Sequence, residues 1–179
     1  LSNKSFLSVA TFQTLPEAIH AFDTTNNRGQ ELTLTDLMRY WMLSNAFTVG
    51  RDLKEQIQTS WEIISNTIPK ETDLADFVGR FWTGRLGTKL TKNKLVSFLN
   101  REIKTNYRER ASLVQLSRDL EDAARHYQSL IQPSAEDPNS TRLKFLKAAG
   151  SKQNLTTLLA GKIKDMTHTQ MERLIVICE

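Results

Sequence analysis

Apolar residues recur at spacings of three and four through most of this chain, a period that predicts a series of helices. Leu15, Ile19 and Phe22 form the first stripe, with Thr14 as N-cap and Pro16 and Glu17 in the first turn. A polar, glycine-bearing stretch follows. Thr33 and Asp36 then have the spacing of a capping box, with aspartate in the usual glutamate place. The next helix holds Leu34, Leu37, Met38, Trp41, Met42 and Phe47, apolar over more than half its circumference, which predicts burial at the centre of a domain. Leu53, Ile57, Trp61, Ile64 and Ile68 continue the period until Pro69 stops it. Leu74, Phe77, Val78, Phe81 and Trp82 form another face, ending near Gly84 and Gly87.

After Thr91, Leu95, Phe98, Leu99 and Ile103 gather on one side of a new helix. Leu113, Leu116, Leu120, Ala123, Tyr127 and Leu130 read as one long amphipathic helix, with Glu121 and Arg125 spaced for an i,i+4 pair. Three shorter patterns follow at Leu143–Ala149, Leu155–Ile163 and Met171–Cys178, the last opened by a Thr167/Gln170 capping box. Only Ser5–Gln13 departs from the helical period, and it reads as one short strand or extended arm. The expected fold is all-α, a multi-helix bundle with that strand or arm at its N-terminus. Residues 132–140 (QPSAEDPNS) read as a linker or long loop between a helical domain at 1–131 and a small helical segment at 141–179. The chain opens on Leu1 and stops at Glu179 inside an apolar pattern. We therefore expect a fragment of a longer protein, truncated at its C-terminus.

Composition narrows the class without naming a function. At 179 residues with 39% hydrophobic and 25% charged side chains, the chain has ordinary globular content. No apolar run approaches the ~20 residues of a membrane span, and a single Cys178 fits a reducing, cytoplasmic setting. No catalytic set is visible: His20, His126 and His168 lack metal-ligand spacing, and the nucleophile-elbow and Walker patterns are absent. Cys178 and the three tryptophans read as packing residues. Asp119, Glu121 and Asp122 read as a solvated face. No metal site is expected.

Charge is uneven. Residues 80–110 hold nine Lys/Arg against two acids, whereas residues 1–79 hold six against ten. Lys94, Ser97, Arg101, Lys104 and Arg108 line one side of the helix after Thr91, opposite its apolar stripe. Such a face either tracks nucleic-acid phosphates without reading sequence or balances an acidic neighbour. Lys94, Arg101, Lys104 and Arg108 are the candidate DNA contacts. Aromatics do not interleave with these bases on the same face, which argues against a single-strand stacking platform.

The turn between the first two helices is the other candidate. Gly29 can take a left-handed conformation and Asn26 or Asn27 can fold onto nearby backbone, so a purely structural turn accounts for the pattern. A functional reading has Asn26 and Arg28 facing a pocket, with the arginine paired to phosphate.

The string Phe22-xxx-Asn26-xx-Gly29-xx-Leu32, with Arg28 inside it and Asp36-Leu37 beyond, resembles the third motif of domain-of-unknown-function family 262, the S-type half of GmrSD-type restriction systems. Trp61 and Phe81-Trp82 stand about where members carry such residues. The likeness covers roughly residues 15–45, loosens to residue 110 and is not claimed beyond. Thr25 and Asn27 depart from the family pattern. The resemblance implies a missing N-terminal ParB/sulfiredoxin-like domain that binds and hydrolyses nucleotide triphosphate with a divalent metal. It also implies an HNH nuclease domain or subunit that cleaves modified foreign DNA. Asn26, Arg28 and Gly29 would complete the nucleotide pocket, with Phe22, Leu32 and Asp36 supporting the motif. This chain holds no Gln-Gln-Arg motif and no HNH histidine set, so alone it would be neither a competent enzyme nor a cofactor carrier. The alternative is a non-enzymatic helical interaction or DNA-binding module.

Overall fold

The computed structural model describes residues 33–179, excepting 90, 108, 151 and 179 and the side chains of helical residues 92, 93, 96, 100, 103–105, 152 and 153. These residues form one compact unit. Its helices are α1 (Leu34–Val49), α2 (Arg51–Thr67), α3 (Glu71–Leu86), α4 (Lys92–Thr105), α5 (Arg110–Ile131), α6 (Ser140–Ala148), α7 (Lys152–Ile163) and α8 (His168–Cys178). The fold is all-α. None of the described helices is long and apolar enough to cross a membrane. The strand or arm expected at Ser5–Gln13 lies outside the described residues.

α5 is the spine. Its buried stripe of Leu113, Leu116, Leu120, Ala123, Tyr127 and Leu130 is the one predicted by period. α1, α2, α3, α6 and α7 all pack against it. Trp41, Trp61 and Trp82 are each buried to within 2% of full exclusion. Each large aromatic removes roughly 150–250 Å² from water, worth about 4–6 kcal/mol before the entropy of ordering. Edge-on rings extend this core, Trp41 against Tyr107 at 5.9 Å and Trp82 against both Phe81 (5.3 Å) and Phe98 (5.0 Å). The indole Nε1 atoms of all three tryptophans are shielded and have no hydrogen-bond partner among the described residues.

α1 is only partly central. Leu37, Met38, Trp41, Met42 and Ala46 are buried, but Phe47 is 67% exposed and Tyr40 is also exposed. On a wheel of ~100° per residue, positions 40 and 47 lie opposite the buried arc, so counting Phe47 with the core residues was wrong. The Lys54 ammonium covers its ring at 5.6 Å.

Two glycines shape α3. A Cβ on Gly84 would stand 3.2 Å from the Ala160 Cβ, so its absence lets α7 approach α3 closely. Gly87 ends the helix in the left-handed conformation at φ 68°, donating to the Thr83 carbonyl at 2.8 Å. Residues 132–139 form a loop held by Asp137, whose carboxylate accepts from the Asn139 N–H. Lys147 Nζ reaches back across that loop to the Ile131 carbonyl at 2.9 Å, satisfying the end of α5. The helices after the loop stay in the same unit. α7 packs on α3 and α5, and α8 on α6 and α7. The Thr167/Gln170 capping box opens α8, with Gln170 Oε1 accepting from the Thr167 N–H at 2.9 Å.

Candidate functional site

Of the turn residues, only Asp36 falls within the described part; Phe22, Asn26, Arg28, Gly29 and Leu32 lie outside it. Asp36 is the closing half of the capping box. Its Oδ2 accepts from the Thr33 N–H and hydroxyl, each at 2.8 Å, and its own N–H donates to Thr33 Oγ1 at 3.2 Å. Two backbone donors at the start of α1 are thereby satisfied, an arrangement whose loss costs about 1 kcal/mol.

Of the basic side chains on α4, Lys94 and Arg101 are exposed, as their wheel positions require. Arg108 and the Lys104 side chain lie outside the described residues. The opposite face buries Leu95, Phe98 and Leu99, and α4 packs on α1. Arg101 carries its guanidinium 5.7 Å from the centre of the Phe98 ring. The helix therefore places cationic and aromatic groups side by side, which the wheel assigned to opposite faces.

Phe98 also forms a wall of a cavity of about 340 Å³ between α3, α4 and the start of α5, with Trp82 and Tyr107 as further aromatic walls. Its polar groups fall in two sets: Asp119, which accepts from Arg85 Nη1 at 3.0 Å and from Gln115 Nε2 at 2.8 Å, and Glu102, which accepts from Asn106 Nδ2 at 2.5 Å. Asp119 is therefore not simply part of a solvated face: it joins α5 to α3. Glu121 is also mostly covered, leaving Asp122 as the solvated member. Burial raises the Tyr107 phenol above its ordinary value, so it keeps its proton at neutral pH. Sequence spacing missed this cavity because its members come from three helices and each aromatic, taken singly, reads as core.

A second polar group joins α3, α5 and α7. Arg80 Nε and Nη2 donate to the two Asp76 oxygens at 2.6 and 3.1 Å, and Arg80 Nη1 donates to Thr156 Oγ1 at 2.9 Å. Tyr127 OH donates to Asp76 Oδ2 at 2.9 Å. Burial, then the Asp76 charge and the hydrogen bond to it, push the Tyr127 phenol well above its usual range. A cavity of about 530 Å³ with Asp73, Asp76 and Lys147 in its lining borders this group. Another, of about 430 Å³, is lined in part by His126, Asp165 and His168. Burial, and then the Lys162 charge, lower the His126 pKa, favouring the neutral imidazole. Among the described residues, no three His, Cys, Asp or Glu side chains are grouped to hold a metal ion. Cys178 is half-buried at the end of α8, and burial raises its thiol pKa, which keeps it a poor nucleophile.

No family model, curated protein or solved structure matches the chain.

Proposed function

We propose that this chain is the helical portion of a family-262 protein of a prokaryotic defence system, acting in the cytoplasm. In this reading a ParB/sulfiredoxin-like domain and the Asn26–Gly29 turn together bind nucleotide triphosphate with a divalent metal. Hydrolysis then controls cleavage of modified foreign DNA by an HNH nuclease. The observation that carries the reading is the Phe22-xxx-Asn26-xx-Gly29-xx-Leu32 string running directly into the Thr33/Asp36 cap. A capped helix start limits how far the preceding turn can swing, which suits a side chain that must meet a phosphate bidentately. The helical unit would brace that turn, and the basic face of α4 would meet DNA.

In the full-length protein, Asn26→Ala and Arg28→Ala should lose triphosphate binding in a calorimetric titration while the melting temperature holds. Normal binding and hydrolysis by both variants would sink the pocket. A helical DNA-binding module with no nucleotide link is the second reading, and it draws on the exposed Lys94 and Arg101. It predicts that those two variants leave every nucleotide measurement unchanged while salt-sensitive DNA binding persists.

A further inference from the structure

We infer that the cavity bounded by α5, α8 and the turns at 137–139 and 162–166 binds a free α-amino acid with an apolar side chain the length of methionine's. Asn139 is the residue that points to a ligand. It is 6% exposed, lines this space of about 430 Å³, and stands at the N-cap of α6. Yet its carboxamide caps nothing and has no hydrogen-bond partner among the described residues. Neither of its polar atoms is shut off from solvent, so the group opens onto the cavity. A polar group kept buried without partners costs stability, which a ligand supplying those partners restores.

The charges around Asn139 are of both signs, which suits a zwitterion better than a plain anion or cation. The Lys162 ammonium makes no ion pair or hydrogen bond among the described residues. Asp165, three residues on, takes the left-handed conformation at φ 53°. Both charges act on the His126 imidazole, which places them at the same wall, and the neutral imidazole adds no third charge. Asp137 brings a second carboxylate, one oxygen of which already accepts from the Asn139 N–H at 2.8 Å. His168 is paired with Glu172 at 3.3 Å. Lys162 then takes the ligand carboxylate and Asp165 its ammonium. The Asn139 carboxamide, donor and acceptor at once, bonds to both. Met166, 39% exposed, and Met171 form the apolar wall. A Cβ on Gly161 would stand 3.0 and 3.1 Å from their sulfurs, so both thioethers lie against the bare backbone of α7. Flexible thioethers mould to an unbranched apolar chain. The Asn26 turn has no part in this site, and neither reading fails with the other.

The test is thermal denaturation of the full chain with L-methionine, joined to a calorimetric titration. At roughly a hundredfold excess over Kd, L-methionine should raise the melting temperature by about 5–10 °C. Methioninamide lacks the carboxylate and N-acetylmethionine lacks the ammonium, so each should bind at least about tenfold more weakly. Asn139→Ala removes no hydrogen bond from the free protein, whose melting temperature should hold or rise. The same variant should bind L-methionine about tenfold more weakly. Lys162→Gln should weaken L-methionine by a similar factor while leaving methioninamide as it was. No shift with L-methionine overturns the proposal, as does an amide or N-acetyl derivative that binds equally well. So does an Asn139→Ala variant that keeps full affinity. One that melts well below the wild type overturns it too, because the carboxamide would then be holding the loop.

Discussion

α3 carries two arginines five residues apart, and each bonds an aspartate, yet they have been put to opposite uses. Arg80 is 9% exposed, forks onto Asp76 one turn earlier and reaches Thr156 on α7. Arg85 is 38% exposed, meets Asp119 on α5 at one point, and stands in the wall of an open cavity. The first pair lies where three helices close together, with Tyr127 donating into it and Gly84 admitting α7 alongside. The second lies where α3, α4 and α5 diverge. Geometry and solvent, not residue type, decide which ion pair holds the fold and which leaves polar groups within reach of a ligand.

The sharpest way to break this contrast is to remove each arginine. Arg80→Met keeps the stem and deletes the fork, leaving Asp76 with the Tyr127 hydroxyl but no cation, and Thr156 without its donor. Removing one partner of a fully buried pair costs about 3–5 kcal/mol. Asp76 is 42% exposed and can be rehydrated, so about 2–3 kcal/mol is expected. A urea denaturation midpoint measures it. A loss under about 1 kcal/mol would show that the Arg80 network does no more than a surface pair.

Tyr127→Phe removes one donor from the same network and should cost about 1–2 kcal/mol at pH 8. The cost depends on pH, and its sign follows from the raised pKa. The unfolded phenol loses its proton near pH 10 while the native one keeps it. The native state then binds more protons, and the contribution of Tyr127 falls as pH rises above about 10. Wild type and Tyr127→Phe should therefore converge between about pH 10 and 11 in urea midpoints. Parallel pH curves would mean that Tyr127 gains nothing from the network.

How much of this was legible beforehand follows the same division. The core stripes of α2, α3 and α5 were readable because apolar burial at a 3.6-residue period is a local property, as Trp61, Phe81 and Leu120 show. Both capping boxes were readable because their partners lie three residues apart. Phe47 was misplaced because hydrophobicity alone does not say which arc of an all-round apolar helix is covered. The Asp119 link and the long-range part of the Arg80 network were not readable, since Arg85 to Asp119, Arg80 to Thr156 and Tyr127 to Asp76 span 34, 76 and 51 positions; only Asp76 and Arg80 themselves are an i,i+4 pair. Spacing on one helix cannot register side chains on another. For that reason the cavity walls, Trp82 and Phe98, each looked like ordinary core. The turn at Asn26 was read from a motif, and its geometry lies outside the described residues.

Arg85 gives the smallest expected effect and the most informative one. Arg85→Met deletes a half-exposed pair with Asp119 and the contact of its guanidinium with the Phe81 ring at 5.9 Å. Pairs so placed contribute about 0–1 kcal/mol, because two long side chains are ordered for a Coulomb gain that water screens. The methionine stem also keeps covering Phe81. A shift of about 0.5 kcal/mol is therefore expected, some fivefold less than for Arg80→Met, with the urea slope unchanged. The same substitution leaves Asp119 in the cavity without its cation. If α3 divides its arginines between holding and exposing, losing Arg85 changes what the cavity accepts far more than whether the protein folds. A loss as large as that of Arg80→Met would collapse the distinction and make the cavity a mere imperfection in packing.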